Sequence, residues 1–156
     1  MRMFKKVLVA VDGSYYSKEA VPVAIDIAEK FGASLFVLHV AEHDRGRASA
    51  YSIETPAEAT KMVADAVKQA RDAGLSAHGE LVDKAAGHVA NAITDTAAKE
   101  QVDLIVMGSR GHGRLAGLLL GSVTQKVTGL ARCPVLVVKA CWAPCPRCRL
   151  VALQRH

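Results

Sequence analysis

Val102-Asp-Leu-Ile-Val-Met107 runs straight into Gly108-Ser-Arg-Gly111-His-Gly-Arg-Leu-Ala-Gly-Leu-Leu-Leu-Gly121-Ser122-Val123. The first six residues are a compact, largely apolar run of the kind buried on both faces of a parallel sheet. The glycines that follow break it and let backbone N–H groups approach a ligand that a Cβ would hold away. Ser122 then opens a helix, and a helix N-terminus gathers unpaired donors and a partial positive charge. Strand, glycine loop and helix start, in that order, suit a phosphate group.

The rest of the chain alternates strand and helix patterns. Lys5-Lys-Val-Leu-Val-Ala-Val11 predicts a first buried strand, broken by Asp12-Gly13-Ser14. Ser14 or Ser17 can cap a helix running to about Phe31, with Ala20, Val23, Ala24, Ile27 and Ala28 at helical spacing. Pro22 falls in its early turns, and Gly32 closes it. Ala33 to Val40 predicts a second strand. Residues 41–56 predict a long polar loop of the kind that is more often functional than idle. Helices follow over Ala57–Ala73 and Gly87–Gln101, with a strand over Leu75–Val82 between them whose alternation places it near an edge. Ser122–Ala131 predicts the last helix, with Ser122 as its cap, and Pro134–Lys139 the fifth strand.

Strands alternating with helices specify an α/β fold. With right-handed crossovers this becomes a three-layer sandwich, a five-stranded parallel sheet with helices on both faces, Rossmann-like in plan. In such sheets ligands sit beyond the carboxyl ends of the strands, where the strand order reverses. Asp12, Val40 and Gly108 fall at those ends, and Asp12 and Gly108 share one crevice if the first and fourth strands are neighbours. Residues 1–140 form one domain, with no repeat or linker dividing them.

Composition narrows the function. The chain has 156 residues, 51% hydrophobic and 22% charged, enough for one ordinary globular core. No apolar run approaches the roughly 18 residues of a membrane span. The start of the chain lacks the pattern of a secretory signal, so a cytoplasmic protein is expected. The net charge of +5 invites a nucleic-acid reading. Basic residues such as Arg114, Arg132, Arg147 and Arg149 are scattered, however, without an aromatic-interleaved run, and nucleic acid is not the expected partner.

Among phosphate motifs, the P-loop pattern is absent and the dinucleotide fingerprint does not follow the first strand. What remains is Gly108-x2-Gly111-x9-Gly121-Ser122. With Lys-Val-Leu-Val-Ala-Val-Asp-Gly-Ser, Leu-His-Val, Asp-Leu-Ile-Val-Met-Gly-Ser-Arg-Gly, Leu-Gly-Ser-Val-Thr and Cys-Pro-Val-Leu-Val-Val-Lys, it resembles the universal stress protein family, nucleotide-binding type, over residues 3–139. This family lies in the superfamily of adenine-nucleotide α-hydrolase-like folds.

The resemblance implies an ATP site. Asp12 would lie near the ribose, flanked by Ala10 and Val11, and Val40 would contact the adenine. Met107 and Gly108 would line the floor. Arg110 and Gly111 would approach the phosphates, which Gly121, Ser122, Val123 and Thr124 would hold at the last helix. Whether Mg or Mn accompanies the nucleotide is left open. The resemblance also implies a homodimer through the last strand, no membrane partner, and a nucleotide-dependent stress-response or signalling module. The alternative is an enzyme, a slow ATPase or autophosphorylating protein with Ser109, Ser122 and Thr124 as candidate acceptors. No conventional catalytic set accompanies Asp12.

Plain structural roles compete at several positions. Asp12 can stabilise a turn, His112 reads as a solvated loop residue, and His39 as a polar strand-end residue. Gly113 and Gly117 read as flexible joints that let residues 109–120 order on binding. Cys133 reads as a buried or half-buried thiol. Cys141, Cys145 and Cys148 crowd a tail, 141–156, read as disordered or adventitious. A redox or disulfide element and a metal site, short of the four ligands that closed zinc needs, are its other readings.

Overall fold

The computed structural model describes residues 3–43, 55–112 and 120–139 of the chain. Its elements run β1 (Lys6–Ala10), α1 (Tyr15–Phe31), β2 (Ser34–His43), α2 (Pro56–Asp72), β3 (Ala77–Ala85), α3 (Val89–Lys99), β4 (Leu104–Gly108), α4 (Ser122–Leu130) and β5 (Val135–Val138). The five strands form one parallel sheet in the order β3-β2-β1-β4-β5. The first and fourth strands are therefore neighbours, with Ala10 opposite Met107 and also opposite Leu38 of β2.

Alternate side chains of the central strands serve two cores. Val7, Val9, Val37 and Val106 pack with Ala24 and Ile25 of α1 and Val63 and Val67 of α2. Leu8, Phe36, Leu38, Ile105 and Met107 pack with Ile93 of α3 and Val127 of α4. Burial on both faces explains why these strands read as continuous apolar runs rather than as alternations. At the opposite end from the glycine loop, one Asp103 carboxylate oxygen accepts from the backbone N–H groups of Lys5 and Lys6, at 2.7 and 2.9 Å. That carboxylate ties the start of β1 to the approach of β4.

Several boundaries depart from the sequence expectation, and each has a cause. The second strand runs three residues past Val40, because Val40 to His43 pair in register with Val82 to Ala85 of β3. Only a partner strand keeps Glu42 and His43 extended, and their polarity concealed it. The second helix starts at Pro56, capped by Thr55 in a reciprocal capping box with Glu58. Pro22 lies inside α1, later than the early turns expected for it, since the helix begins at Tyr15. Its stripe toward the core uses Val21 and Ile25, with Val23 and Ile27 only partly buried. The cap of α4 is Gly121 and not Ser122, which is the first helical residue.

Candidate functional site

Four chain segments meet beyond the carboxyl ends of β1, β2 and β4, where the strand order reverses. β1 ends in a turn at Asp12-Gly13-Ser14. Ser14 caps α1, its Oγ accepting from Ser17 N at 3.2 Å. Asp12 shapes the turn: its Oδ1 accepts from Ser14 N at 2.9 Å, and its own N–H donates to Ser17 Oγ at 3.3 Å. Gly13 has φ 77°, a left-handed conformation that suits glycine.

β4 ends against this turn. A Cβ on Gly108 would stand 2.7 Å from the backbone carbon of Tyr16 and 2.9 Å from Ser17 N, so only glycine lets the strand end approach α1 so closely. Next in the chain, Ser109 is buried and its N–H donates to Val138 O of β5 at 2.8 Å. Ser14 Oγ reaches Arg110 O at 3.4 Å. The turn after β1 and the loop after β4 are thus one packed unit.

The start of α4 closes on the same loop. Gly121 N–H donates to Ser109 O at 2.8 Å, and the Thr124 hydroxyl donates to Gly108 O at 2.9 Å. A Cβ on Gly121 would lie 3.3 Å from Arg110 Cα and 3.6 Å from Gly111 N, so the two glycine segments face each other backbone to backbone. No side chain caps α4. Its first turn therefore presents backbone N–H groups and the positive end of the helix dipole at the loop, where an anion would be held.

All twelve residues expected from the sequence, from Ala10 to Thr124, line one cavity of about 1070 Å³. That is just above the roughly 300–1,000 Å³ range of small-molecule sites. Val40 lines it although it is not the last residue of β2, because β1 stops at Ala10 while β2 continues. Apolar residues of α3, Val89 and Ile93, complete the side of the cavity near Val40. They were not legible beforehand, since only the crossover from β3 to β4 brings α3 there. Thr124 is 3% exposed and its hydroxyl proton is committed to Gly108, so Ser122 is the exposed hydroxyl at the helix start.

Both histidines meet a backbone carbonyl after β1, His39 from inside β2 and His112 from the exposed loop position expected of it. His39 is buried, 3% exposed, with Nδ1 at 2.7 Å from Val11 O. His112 is exposed, yet its Nε2 lies 2.6 Å from Asp12 O. Cys133 is half-buried, and burial pushes its thiol above the ordinary value, which disfavours the reactive thiolate. Residues 113–119 and 140–156 lie outside the described residues, and with them the reading of Gly113 and Gly117 as joints and all readings of the tail cysteines. Among the described residues no three His, Cys, Asp or Glu side chains converge as metal ligands. Nor is any helix among them long and apolar enough to cross a membrane.

Comparison with known proteins points one way. The family model described as the universal stress protein family matches residues 3–139. A universal stress protein of Methanocaldococcus jannaschii is 38% identical over 147 residues, covering 88% of this chain and 83% of that protein. Among solved structures, the hypothetical protein MJ0577 superposes with a TM-score of 0.75 at 30% identity, covering 90% of this chain and 99% of the other. The universal stress protein of Archaeoglobus fulgidus in complex with dAMP gives a TM-score of 0.66 at 25% identity, covering 88% and 99%. Another universal stress protein, solved in complex with cAMP, gives 0.68 at 27%, covering 88% and 98%.

Proposed function

The chain belongs to the universal stress protein family, and on that premise we propose that it is an adenine-nucleotide-binding module, with ATP the first candidate ligand. One observation carries the reading. The loop after β4 and the uncapped N-terminus of α4 face each other across glycine backbones, at the rim of a cavity that also holds Asp12 and Val40. The dAMP and cAMP complexes of relatives with this fold support adenine as the base.

In this reading each residue has a physical task. Gly111, Arg110 and the first turn of α4 (Ser122, Val123 and Thr124, after Gly121) offer backbone N–H groups to the phosphates. The second carboxylate oxygen of Asp12 accepts from the ribose. Ala10, Val11, Val40, Met107 and Gly108 form the apolar seat for sugar and base. A divalent cation, Mg or Mn, would be held mainly by the nucleotide's own phosphates, because among the described residues no three His, Cys, Asp or Glu side chains converge to hold one.

The arrangement supports binding rather than rapid turnover. Positioned donors are present, but the polar groups around Asp12 serve the turn, and Ser109 and Thr124 are buried. A module whose nucleotide state alters its surface, and so its partners in a stress response, fits these features best. We further propose a homodimer through β5. This edge strand carries half-exposed Val135, Val137 and Val138 and exposed Leu136, an apolar edge of the sort that other chains cover.

The test is native mass spectrometry of protein purified without added nucleotide, followed by titration of the stripped protein. A mass increment of an adenine nucleotide, or one-to-one binding of added ATP, is expected. Neither copurified nucleotide nor titratable affinity for ATP, ADP, AMP or cAMP would overturn the reading.

A further inference from the structure

His39 and His112 perform the same operation on consecutive residues. The ladder between β1 and β2 ends where Val11 N–H donates to Leu38 O at 2.9 Å. The next two carbonyls of the chain, those of Val11 and Asp12, lie past the last paired residues of β1. Each is met by an imidazole: His39 Nδ1 at 2.7 Å from Val11 O, and His112 Nε2 at 2.6 Å from Asp12 O. A carbonyl only accepts, so Nδ1 of one ring and Nε2 of the other must carry hydrogen. One ring comes from the buried face of β2 and the other from the glycine loop.

The consequence falls on Asp12. Its N–H is held by Ser17, its Oδ1 by Ser14 and its carbonyl by His112. The remaining oxygen, Oδ2, is turned toward Gly111, where a Cβ would stand 2.8 Å from it. The Asp12 backbone is thus held on both sides and its carboxylate at Oδ1, which leaves Oδ2 facing the glycine loop.

We propose that His39 and His112 are positioning residues for nucleoside recognition: together they lock the Val11–Asp12 step so that Oδ2 meets a sugar hydroxyl. This rests on the nucleotide reading above. Within the packed unit of turn and loop, the phosphate half of the cradle has bonds of its own that involve neither ring, those of Gly121 to Ser109 and of Thr124 to Gly108. The pair therefore sets the preference for a nucleoside phosphate over bare phosphate, rather than the capacity to hold phosphate at all.

The two rings donate from different nitrogens, which gives a crossed test. An Asn amide nitrogen reaches about as far as Nδ1, and a Gln amide nitrogen about as far as Nε2. Calorimetric titration of ATP and of inorganic tripolyphosphate should show His39→Asn and His112→Gln binding ATP within about twofold of wild type. His39→Gln, His112→Asn and His112→Ala should lose about five- to tenfold, the worth of one hydrogen bond. Tripolyphosphate affinity should be unchanged throughout.

His112 is exposed, so its three variants carry the test should buried His39→Gln fail to fold. The proposal is overturned if His112→Ala binds ATP like wild type, if His112→Gln is as weak as His112→Ala, or if tripolyphosphate affinity falls in step with ATP. Wild type that binds neither ligand would instead sink the nucleotide reading. The lock itself is then read by hydrogen exchange in ligand-free protein. Gly13 and Ser14 amides should exchange faster in His112→Ala than in wild type or His112→Gln, and equal exchange in all three overturns it.

Discussion

A methyl group at Gly111 would stand 2.8 Å from Asp12 Oδ2, inside the contact distance that real Cβ atoms keep. The carboxylate is a side-chain end and can turn away, so Gly111→Ala should leave the fold intact. It should nevertheless weaken ATP binding at least tenfold, because Asp12 leaves its place and a donor is covered; calorimetry with a melting curve checks both halves. Gly108 differs in kind. A methyl there meets Tyr16 and Ser17 backbone at 2.7–2.9 Å, and backbone inside a packed core has nowhere to go. Gly108→Ala should therefore cost about 1–3 kcal/mol or more of stability by urea unfolding. Both glycines were visible in the sequence as a motif. Which atom each one makes room for was not, because that depends on segments about a hundred residues apart in the chain. The histidines show the same limit. Leu-His-Val reads as strand and Gly-His-Gly as loop, and only the fold brings both rings to the end of β1.

At the level of single elements, the start of α2 rests on a local device. Thr55 Oγ1 accepts from Glu58 N at 3.2 Å, while the Glu58 carboxylate accepts from Thr55 N at 2.7 Å. Thr55→Ala should cost about 1 kcal/mol at neutral pH. The bonds from Thr55 hold the Glu58 carboxyl below its ordinary value. A carboxylate depressed in the folded state stabilises it above the unfolded value, and that contribution disappears as pH falls through the folded value. The melting-temperature gap between wild type and Glu58→Gln should accordingly be present at pH 7 and narrow as the pH is lowered through and below the ordinary carboxylate range. Gly129 makes the opposite case. It lies in α4 with nothing within 4 Å of an added Cβ and without a positive φ, so Gly129→Ala should stabilise by about 0.5–1 kcal/mol in thermal unfolding. Thr-Pro-Ala-Glu is itself a capping signature, so the start of α2 was open to local reading. The extra length of β2 was not, since Glu42 and His43 are strand residues only because β3 lies alongside.

For the whole molecule, the alternation of strands and helices implied a parallel sheet covered on both faces, and the structure has one. Strand order is the part that alternation leaves open. It is decided by where crossovers find apolar cover, here α1 and α2 on one face and α3 and α4 on the other. The proposed pairing through β5 is a claim at this scale. Leu136→Glu puts a charge on the exposed edge and should move the elution of the protein from the position of a dimer to that of the monomer. An unchanged dimer would exclude β5 as the interface. The central claim, that the crevice between β1 and β4 is an adenine-nucleotide site, is tested most directly by titrating ATP into nucleotide-stripped protein beside Gly111→Ala. Saturable binding of one nucleotide per chain, lost in the folded variant, is the predicted result. Absence of binding by wild type, or equal binding by a Gly111→Ala protein of unchanged stability, would contradict it.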